Sequence, residues 1–172
     1  MKKYTSKEIE EMGKKADKTV TTMTLTGVGI GFAPVGIDIA AFMTLMGTSV
    51  IAIGNCYGME MNKEEAGELI KQFFKAAGLT LSMVTVGSKI IYSTMKSNPV
   101  TYLPFMVADA VICGTTAYAV GSTSKNYFQL RAQGKKASEE DIKRWMEEGK
   151  IQGKKVAKQA AKEKANEIKF SK

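Results

Sequence analysis

The chain has 172 residues, with 25 lysine and arginine residues against 17 acidic ones, two cysteines and no histidine. This length suits one domain with its own core, and a hydrophobic share of 44% with only three prolines excludes a disordered chain. Without imidazole the chain lacks Ser-His-Asp and Cys-His nucleophiles, histidine-containing zinc sites and a histidine pH switch. The composition therefore argues against an enzyme, and we predict no catalytic residue, no cofactor and no metal site.

Charge is concentrated at the two ends of the chain. Residues 133–172 hold twelve basic and seven acidic side chains, whereas residues 19–132 are nearly neutral and apolar. Cys56 and Cys113 lie far apart in apolar surroundings, so we expect two small buried side chains in a reducing compartment. We divide the chain into an apolar helical-hairpin domain, residues 1–132, and a basic amphipathic C-terminal helix, residues 133–172.

Three capping patterns predict helix starts. Thr5 stands three residues before Glu8, which is the capping-box spacing. Asn62 precedes two glutamates, and Ser138 precedes three acidic residues, where the helix dipole favours anions. We therefore expect helices to begin after these three positions.

Two uncharged runs follow the polar first eighteen residues. Residues 19–37 and 39–59 contain no charged side chain, and each run approaches the roughly 20 residues needed to cross a bilayer core. Pro34 and Gly36 interrupt them and predict a turn. We expect a hairpin of two apolar helices here.

A second hairpin is predicted further along the chain. An amphipathic helix from Lys63 to about residue 77 precedes an apolar segment, residues 79–95, whose only charge is Lys89. Pro104 then opens another apolar segment that runs to Ser124. These two apolar segments form the second predicted hairpin.

Together these elements predict an all-α fold. We expect a helical bundle of two apolar hairpins, at about residues 20–58 and 79–128, with an amphipathic linking helix and a long basic C-terminal helix. Short strands compete at residues 20–25 and 82–86, where β-branched side chains are frequent. No Asn-Gly or Asp-Gly turn separates short alternating runs, so the helical interpretation is favoured.

One eight-residue segment recurs in the two hairpins. Residues 47–54 and 114–121 share four of eight positions, including the glycines at both ends. Glycines seven residues apart lie on one helical face, where small side chains let another helix approach closely. Ordinary small-residue packing inside a soluble bundle is the alternative. The predicted helix-packing residues are Gly47, Gly54, Gly114 and Gly121.

At this point the chain resembles a known family over about residues 20–130. The resemblance rests on Pro34-x-x-x-Asp38 opening an apolar helix, on Tyr57-Gly58-Met59-Glu60-Met61 before an acidic helix start, and on Thr115, Thr116, Gly121, Tyr127 and Phe128. The family is the YcjF-type domain of unknown function, found in bacterial membrane proteins and beside Era-like GTPases. The resemblance implies an all-helical, membrane-associated module with no assigned catalytic residue.

Asp38 and Asp109 are the two lone acids of the apolar helices, and they are our candidates for buried acids. An ionised carboxylate in apolar surroundings is costly unless it is paired or protonated. A polar contact between the hairpins, with Lys89 as partner, is one interpretation. The other places each acid at a helix N-terminus, just after Pro34 and Pro104, where free N–H groups and the dipole accept an anion.

The glycine-rich segment at residues 27–31 invites comparison with a dinucleotide-binding loop. That fingerprint needs G-x-G-x-x-G opening a helix, whereas Pro34 and Gly36 follow here and position 32 is phenylalanine. The sequence also lacks a P-loop motif. Both observations argue against nucleotide binding.

The C-terminal helix combines a narrow apolar stripe with many lysines. The stripe contains Ile142, Trp145, Met146, Gly149, Gly153, Val156 and Ala160. Such a helix can lie on anionic lipid, or it can close the bundle through Trp145 as an ordinary solvated helix. Seven acids in the same forty residues argue against nucleic acid. The predicted membrane-surface residues are Trp145, Lys143, Arg144, Lys150, Lys154, Lys155 and Lys158.

These features lead to a functional hypothesis. We expect a non-enzymatic, membrane-associated helical module on the cytoplasmic side, packed through glycine- and threonine-faced hairpins and oriented by lysine-rich flanks. The alternatives are a soluble cytoplasmic adaptor that binds a partner protein such as a GTPase or a second copy, and a hairpin-type membrane-active toxin or effector. A mean hydropathy of −0.13 favours the adaptor more than the local apolar runs do.

Overall fold

The computed structural model describes residues 4–33, 38–79 and 99–170. Those residues form five α-helices and no strand, so the predicted all-α class is confirmed. The helices are α1 (Ser6–Gly31), α2 (Asp38–Cys56), α3 (Lys63–Ala76), α4 (Pro99–Ala132) and α5 (Glu139–Phe170). The predicted turn at Pro34 and Gly36, most of the apolar segment 79–95, and Lys89 lie outside the described residues.

The three predicted helix starts are confirmed. The Glu8 carboxylate accepts from the Thr5 N–H at 2.7 Å, and the Thr5 hydroxyl oxygen accepts from the Glu8 N–H at 3.3 Å. The Asn62 side chain accepts from the N–H of Glu65 at 2.9 Å, and Ser138 Oγ accepts from the N–H three residues later at 3.0 Å. Each cap satisfies a backbone donor that has no partner within its helix.

The charged N-terminal segment and the first apolar run form one continuous helix, α1, rather than two elements. No proline interrupts the chain where the charged segment ends at Lys18 and the apolar run begins at Thr19. The threonines of the apolar run keep the helical backbone. Their hydroxyls donate to carbonyls one turn earlier: Thr21 to Asp17 at 3.0 Å and Thr24 to Val20 at 2.7 Å. The competing strand at residues 20–25 is therefore absent.

Helix α4 begins at Pro99, and Pro104 lies inside it, so the prediction that Pro104 opens the helix was wrong. The sequence alone does not distinguish which of the two prolines begins the helix. At the first position of a helix the missing N–H has no intrahelical partner to lose, and Pro99 takes that place. The helix also continues past Ser124 to Ala132.

Helices α1 and α4 run antiparallel. Gly13, in the first half of α1, lies beside Lys125 near the end of α4, whereas Gly31, at the end of α1, lies against Ala110. Helix α4 makes its most extensive contacts with α1 and α5. It is thus the central helix of the described bundle.

Buried apolar side chains form two clusters. The larger, here called the aromatic core, takes residues from all five helices, among them Met23, Phe42, Phe73, Phe128 and Met146. The smaller, here called the alanine cluster, joins α1, α4 and α5 through Val28, Phe32, Ala110, Ala157, Ala161 and Ala165. The proposed boundary at residue 132 coincides with the end of α4 and stays a prediction as a domain boundary.

The buried stripe of α5 departs from the predicted one in its second half. Ile142, Met146, Gly149 and Gly153 are buried as expected, but Val156 is 38% exposed and the next buried residue is Ala157. The stripe continues through alanines at intervals of four residues, because the close contact with α4 and α1 accepts small side chains. Hydrophobicity alone predicts that Val156 is buried, but the close helix contact favours the smaller Ala157.

Candidate functional site

The contacts of α4 with α1 and α5 are built on glycines. A Cβ on Gly114 would lie 2.5 Å from Val28 Cγ2 and 2.8 Å from Ala157 Cβ, and one on Gly121 would lie 3.2 Å from Met23 Sδ. A side chain at Gly114 would overlap its neighbours, whereas one at Gly121 would press tightly against Met23 and Val20. We name this contact the glycine seam and include in it Gly27, Gly31, Gly114, Gly121, Gly149 and Gly153.

The four predicted packing glycines lie in different surroundings. Gly114 and Gly121 belong to the glycine seam, and Gly54 packs at the end of α2, where a Cβ would lie 2.9 Å from the Met59 carbonyl oxygen. A Cβ on Gly47 meets no described atom within 4 Å, so no described helix approaches it closely. Among the described residues the two segments therefore differ in their packing, and their origin by duplication stays a prediction.

The two seam glycines of α1 were not assigned to packing from the sequence. Gly27 and Gly31 were weighed only as a nucleotide loop, yet both lie in the last turns of α1, and a Cβ on Gly31 would collide with the backbone of Ala110. On α5, a Cβ on Gly153 would lie 2.9 Å from the Thr115 carbonyl oxygen. A four-residue spacing of glycines was the available signal, and it is present in both helices.

The two lone acids have different positions. Asp38 is the first residue of α2, which agrees with the helix-start interpretation of that residue. Asp109 is in the third turn of α4 because the helix begins at Pro99, so the helix-start interpretation of Asp109 was wrong. Asp109 is also partly exposed rather than buried, so it does not carry the full cost of a carboxylate in an apolar interior.

A polar cluster that the sequence did not reveal joins α1 to α4. The Lys125 ammonium group donates to Asp17 Oδ1 at 2.6 Å, and the side chains are 24% and 58% exposed. Tyr57 lies nearby with 1% exposure, and its hydroxyl has no hydrogen-bond partner among the described residues. Burial, and secondly the negative charge of Asp17, raise the pKa of Tyr57 well above its usual range.

The membrane-surface candidates on α5 fall into two groups. Near the helix start, Arg144 forms an ion pair with Asp141 at 2.9 Å, and hydrogen bonds from Ser138 hold the pKa of Asp141 below its usual range. Trp145 is partly buried against the aromatic core, as expected for a helix that closes the bundle. Lys143, Lys154, Lys155 and Lys158 are exposed, and Lys150 is partly buried.

Helix α4 is the described helix that is long and apolar enough to cross a bilayer. The stretch Leu103–Ala132 meets this criterion by length and composition, and 33% of its most apolar window is buried. On α4, Ile112 is 45% exposed. Leu25 on α1 is 51% exposed, and Ile151 on α5 is 61% exposed. The bundle thus leaves large apolar side chains in contact with solvent.

The described residues can be compared with the geometry of metal sites and of ligand-binding grooves. No group of three or more Cys, Asp or Glu side chains among them could hold a metal ion. A shallow groove between α4 and α5 is lined by Asn126, Gln129, Gln133, Trp145 and Glu148. Its amide groups can donate and accept hydrogen bonds, and Glu148 adds one carboxylate acceptor.

Comparison with known proteins places the chain in a family. No curated protein and no solved structure matches it. The model of a domain of unknown function, DUF697, matches residues 2–166, which includes the glycine seam and most of α5. The predicted identification as a domain of unknown function is confirmed, whereas the association with GTPases stays a prediction. The chain belongs to the DUF697 family.

Proposed function

We propose that the protein is a non-enzymatic, membrane-associated helical module. The observation that carries the proposal is the apolar surface of helix α4, because only 33% of its most apolar window is buried inside the bundle. Exposed apolar side chains on α1, α4 and α5 add to this surface. Lipid is a partner that would cover such side chains favourably.

The mechanism in this proposal is physical rather than chemical. The glycine seam holds α1, α4 and α5 close together, so that they act as one rigid unit. The lysine-rich α5 then orients this unit relative to anionic lipid, with the cytoplasmic side as the expected location. No step requires a bound cofactor.

Membrane association is tested by vesicle flotation of the purified full chain and by fractionation of cells that express it. We expect the protein to float with vesicles made of equal parts phosphatidylcholine and phosphatidylglycerol at low salt, and to sediment with cell membranes. A monodisperse protein that stays at the bottom of the gradient with every vesicle composition would contradict the proposal.

A soluble adaptor is the second candidate, and one observation favours it. Helix α5 carries exposed charges along its length and packs on the apolar α4. A central apolar helix covered by a charged one is typical of a soluble bundle. The groove that contains Trp145 and Gln129 would then be the region for a protein partner. Failure to float in the same experiment, with the protein folded and in the soluble fraction, would favour this candidate.

A further inference from the structure

The middle of α5 carries an unbalanced row of positive charge. Between Gly149 and Lys162 there are five lysines and no acid. Within the described part of the chain none of these five has an ion-pair partner, whereas the earlier Arg144 is neutralised by Asp141. We name these residues the lysine face: Lys150, Lys154, Lys155, Lys158 and Lys162.

The lysine face has a regular geometry. Four of its members follow one another at intervals of four residues, so they form one row that drifts slowly around the helix. Four of the five are exposed, and Lys150 is partly buried. Repulsion between neighbouring lysines costs free energy in the isolated protein, so an anionic surface along this row would relieve it.

A large apolar side chain accompanies the lysines. Ile151 is 61% exposed, and Lys154 and Lys155 stand three and four residues after it, on the adjacent turn. A helix that lies in the plane of a bilayer combines these two features, since its cations reach phosphates and its apolar side chains enter the interface. Duplex nucleic acid would match the lysines but not Ile151.

The opposite face of α5 is fixed on α4. A Cβ on Gly149 would lie 2.8 Å from Ala119 Cα, and one on Gly153 would lie 2.9 Å from the Thr115 carbonyl oxygen. If α4 crossed a bilayer in this arrangement, the lysines beside it would enter the hydrocarbon region, where a charged side chain is costly. The described bundle is therefore compatible with the surface of a membrane and not with a spanning α4.

We propose that the lysine face and Ile151 form a docking surface for the phosphate groups of an anionic bilayer, with α5 in the plane of the membrane and the bundle bound peripherally. This inference rests on the proposed function and specifies which surface makes the contact. The net charge of +8 supplies long-range attraction to the same partner.

The test measures affinity of the full chain for vesicles of phosphatidylcholine alone and of phosphatidylcholine with phosphatidylglycerol. We expect binding to the anionic vesicles only, and its loss at high salt or in a carbonate wash. The variant Lys154→Gln/Lys158→Gln should bind about thirtyfold more weakly, from about 1 kcal/mol for each cation near the surface. Ile151→Ser should weaken binding further.

The matched control is Lys63→Gln/Lys75→Gln, which removes the same charge from exposed positions of α3. It should change affinity much less than the α5 variant does. Circular dichroism and the emission of Trp145, the one tryptophan of the chain, check that each variant is folded.

Several outcomes would overturn the inference. Equal binding to neutral and anionic vesicles would do so, as would equal losses in the α3 and α5 variants. So would retention after the carbonate wash, or tighter lysine-dependent binding of duplex DNA than of vesicles. No flotation with any vesicle would refute the proposed function as well. Flotation that ignores the lysine face would refute the inference alone.

Discussion

The aromatic core and the glycine seam hold the same central helix by different means. Around the end of α4, Phe128 is 1% exposed and contacts the last turns of α2, and Tyr127 packs edge to face with Phe73 at 5.9 Å between ring centroids. Along the rest of α4, glycines on α1, α4 and α5 bring the helices close together, and alanines and side chains such as Val28 and Met23 fill the remaining space. The aromatic core buries large side chains, whereas in the glycine seam the backbones of neighbouring helices approach one another closely.

The difference determines what each region contributes. Burying a phenylalanine removes far more apolar surface from water than burying an alanine, at roughly 25 cal/mol per Å². The glycine seam gains less from this source, but it brings helices close enough for dense van der Waals contact. We expect the aromatic core to depend on side-chain volume and the seam to depend on the absence of side chains.

The largest effect is expected for Phe128→Ala. This change leaves a cavity in the aromatic core and should lower the free energy of unfolding by about 3–5 kcal/mol in urea denaturation. Phe105→Ala is the matched control, because Phe105 lies on the same helix and is only partly buried. A loss of equal size for Phe105→Ala would show that the two regions of α4 do not differ as described.

A smaller effect of definite sign is expected for Gly31→Ala. The new Cβ would collide with the backbone of Ala110, which no rotamer change relieves, so α1 and α4 must shift, at about 1–3 kcal/mol of stability. Gly29→Ala is the matched control two residues earlier, where a Cβ meets no described atom within 4 Å. There, alanine should stabilise the helix by up to about 1 kcal/mol.

Thermal or urea denaturation of the two glycine variants decides the matter. If Gly31→Ala is as stable as the native chain, the close approach of α1 to α4 is wrong. If both variants are destabilised equally, the cost comes from the helix end rather than from the seam.

The sequence predicted the helices well because their signals are local. The capping patterns at Thr5, Asn62 and Ser138 involve residues three positions apart, and each is present in the fold. The start of α4 was mispredicted because Pro99 and Pro104 are both acceptable at a helix start. Which one is used depends on the contacts of the whole helix.

The candidate sites were less predictable because they depend on which helices meet. The ion pair of Asp17 with Lys125 joins residues 108 positions apart, and no spacing in the sequence indicates it. The seam was recognised in α4, where Gly114 and Gly121 were selected, but its other side requires the antiparallel alignment with α1. The lysine row on α5 was visible from spacing, since it lies within one helix.

The smallest effect is expected at neutral pH for Tyr57→Phe, in the polar cluster between the two regions. The variant removes a buried hydroxyl that has no partner among the described residues, so the free energy of unfolding should change by less than about 1 kcal/mol, towards greater stability. A clear loss of stability at neutral pH would mean that the hydroxyl is hydrogen-bonded, for example to a buried water molecule.

The same variant has a pH dependence that distinguishes burial from charge. Burial raises the pKa of Tyr57 in the folded state, so above the unfolded pKa of ~10 the tyrosine ionises only in the unfolded chain. Tyr57 therefore leaves stability independent of pH below ~10 and lowers it as pH rises further, at up to about 1.4 kcal/mol per pH unit. In urea denaturation at increasing alkaline pH, the free energy of unfolding should therefore fall more steeply for the native chain than for Tyr57→Phe. Asp17→Asn should keep most of the steep dependence, because the Asp17 charge is the lesser cause. If Asp17→Asn instead abolishes it, the carboxylate rather than the apolar surroundings controls this tyrosine.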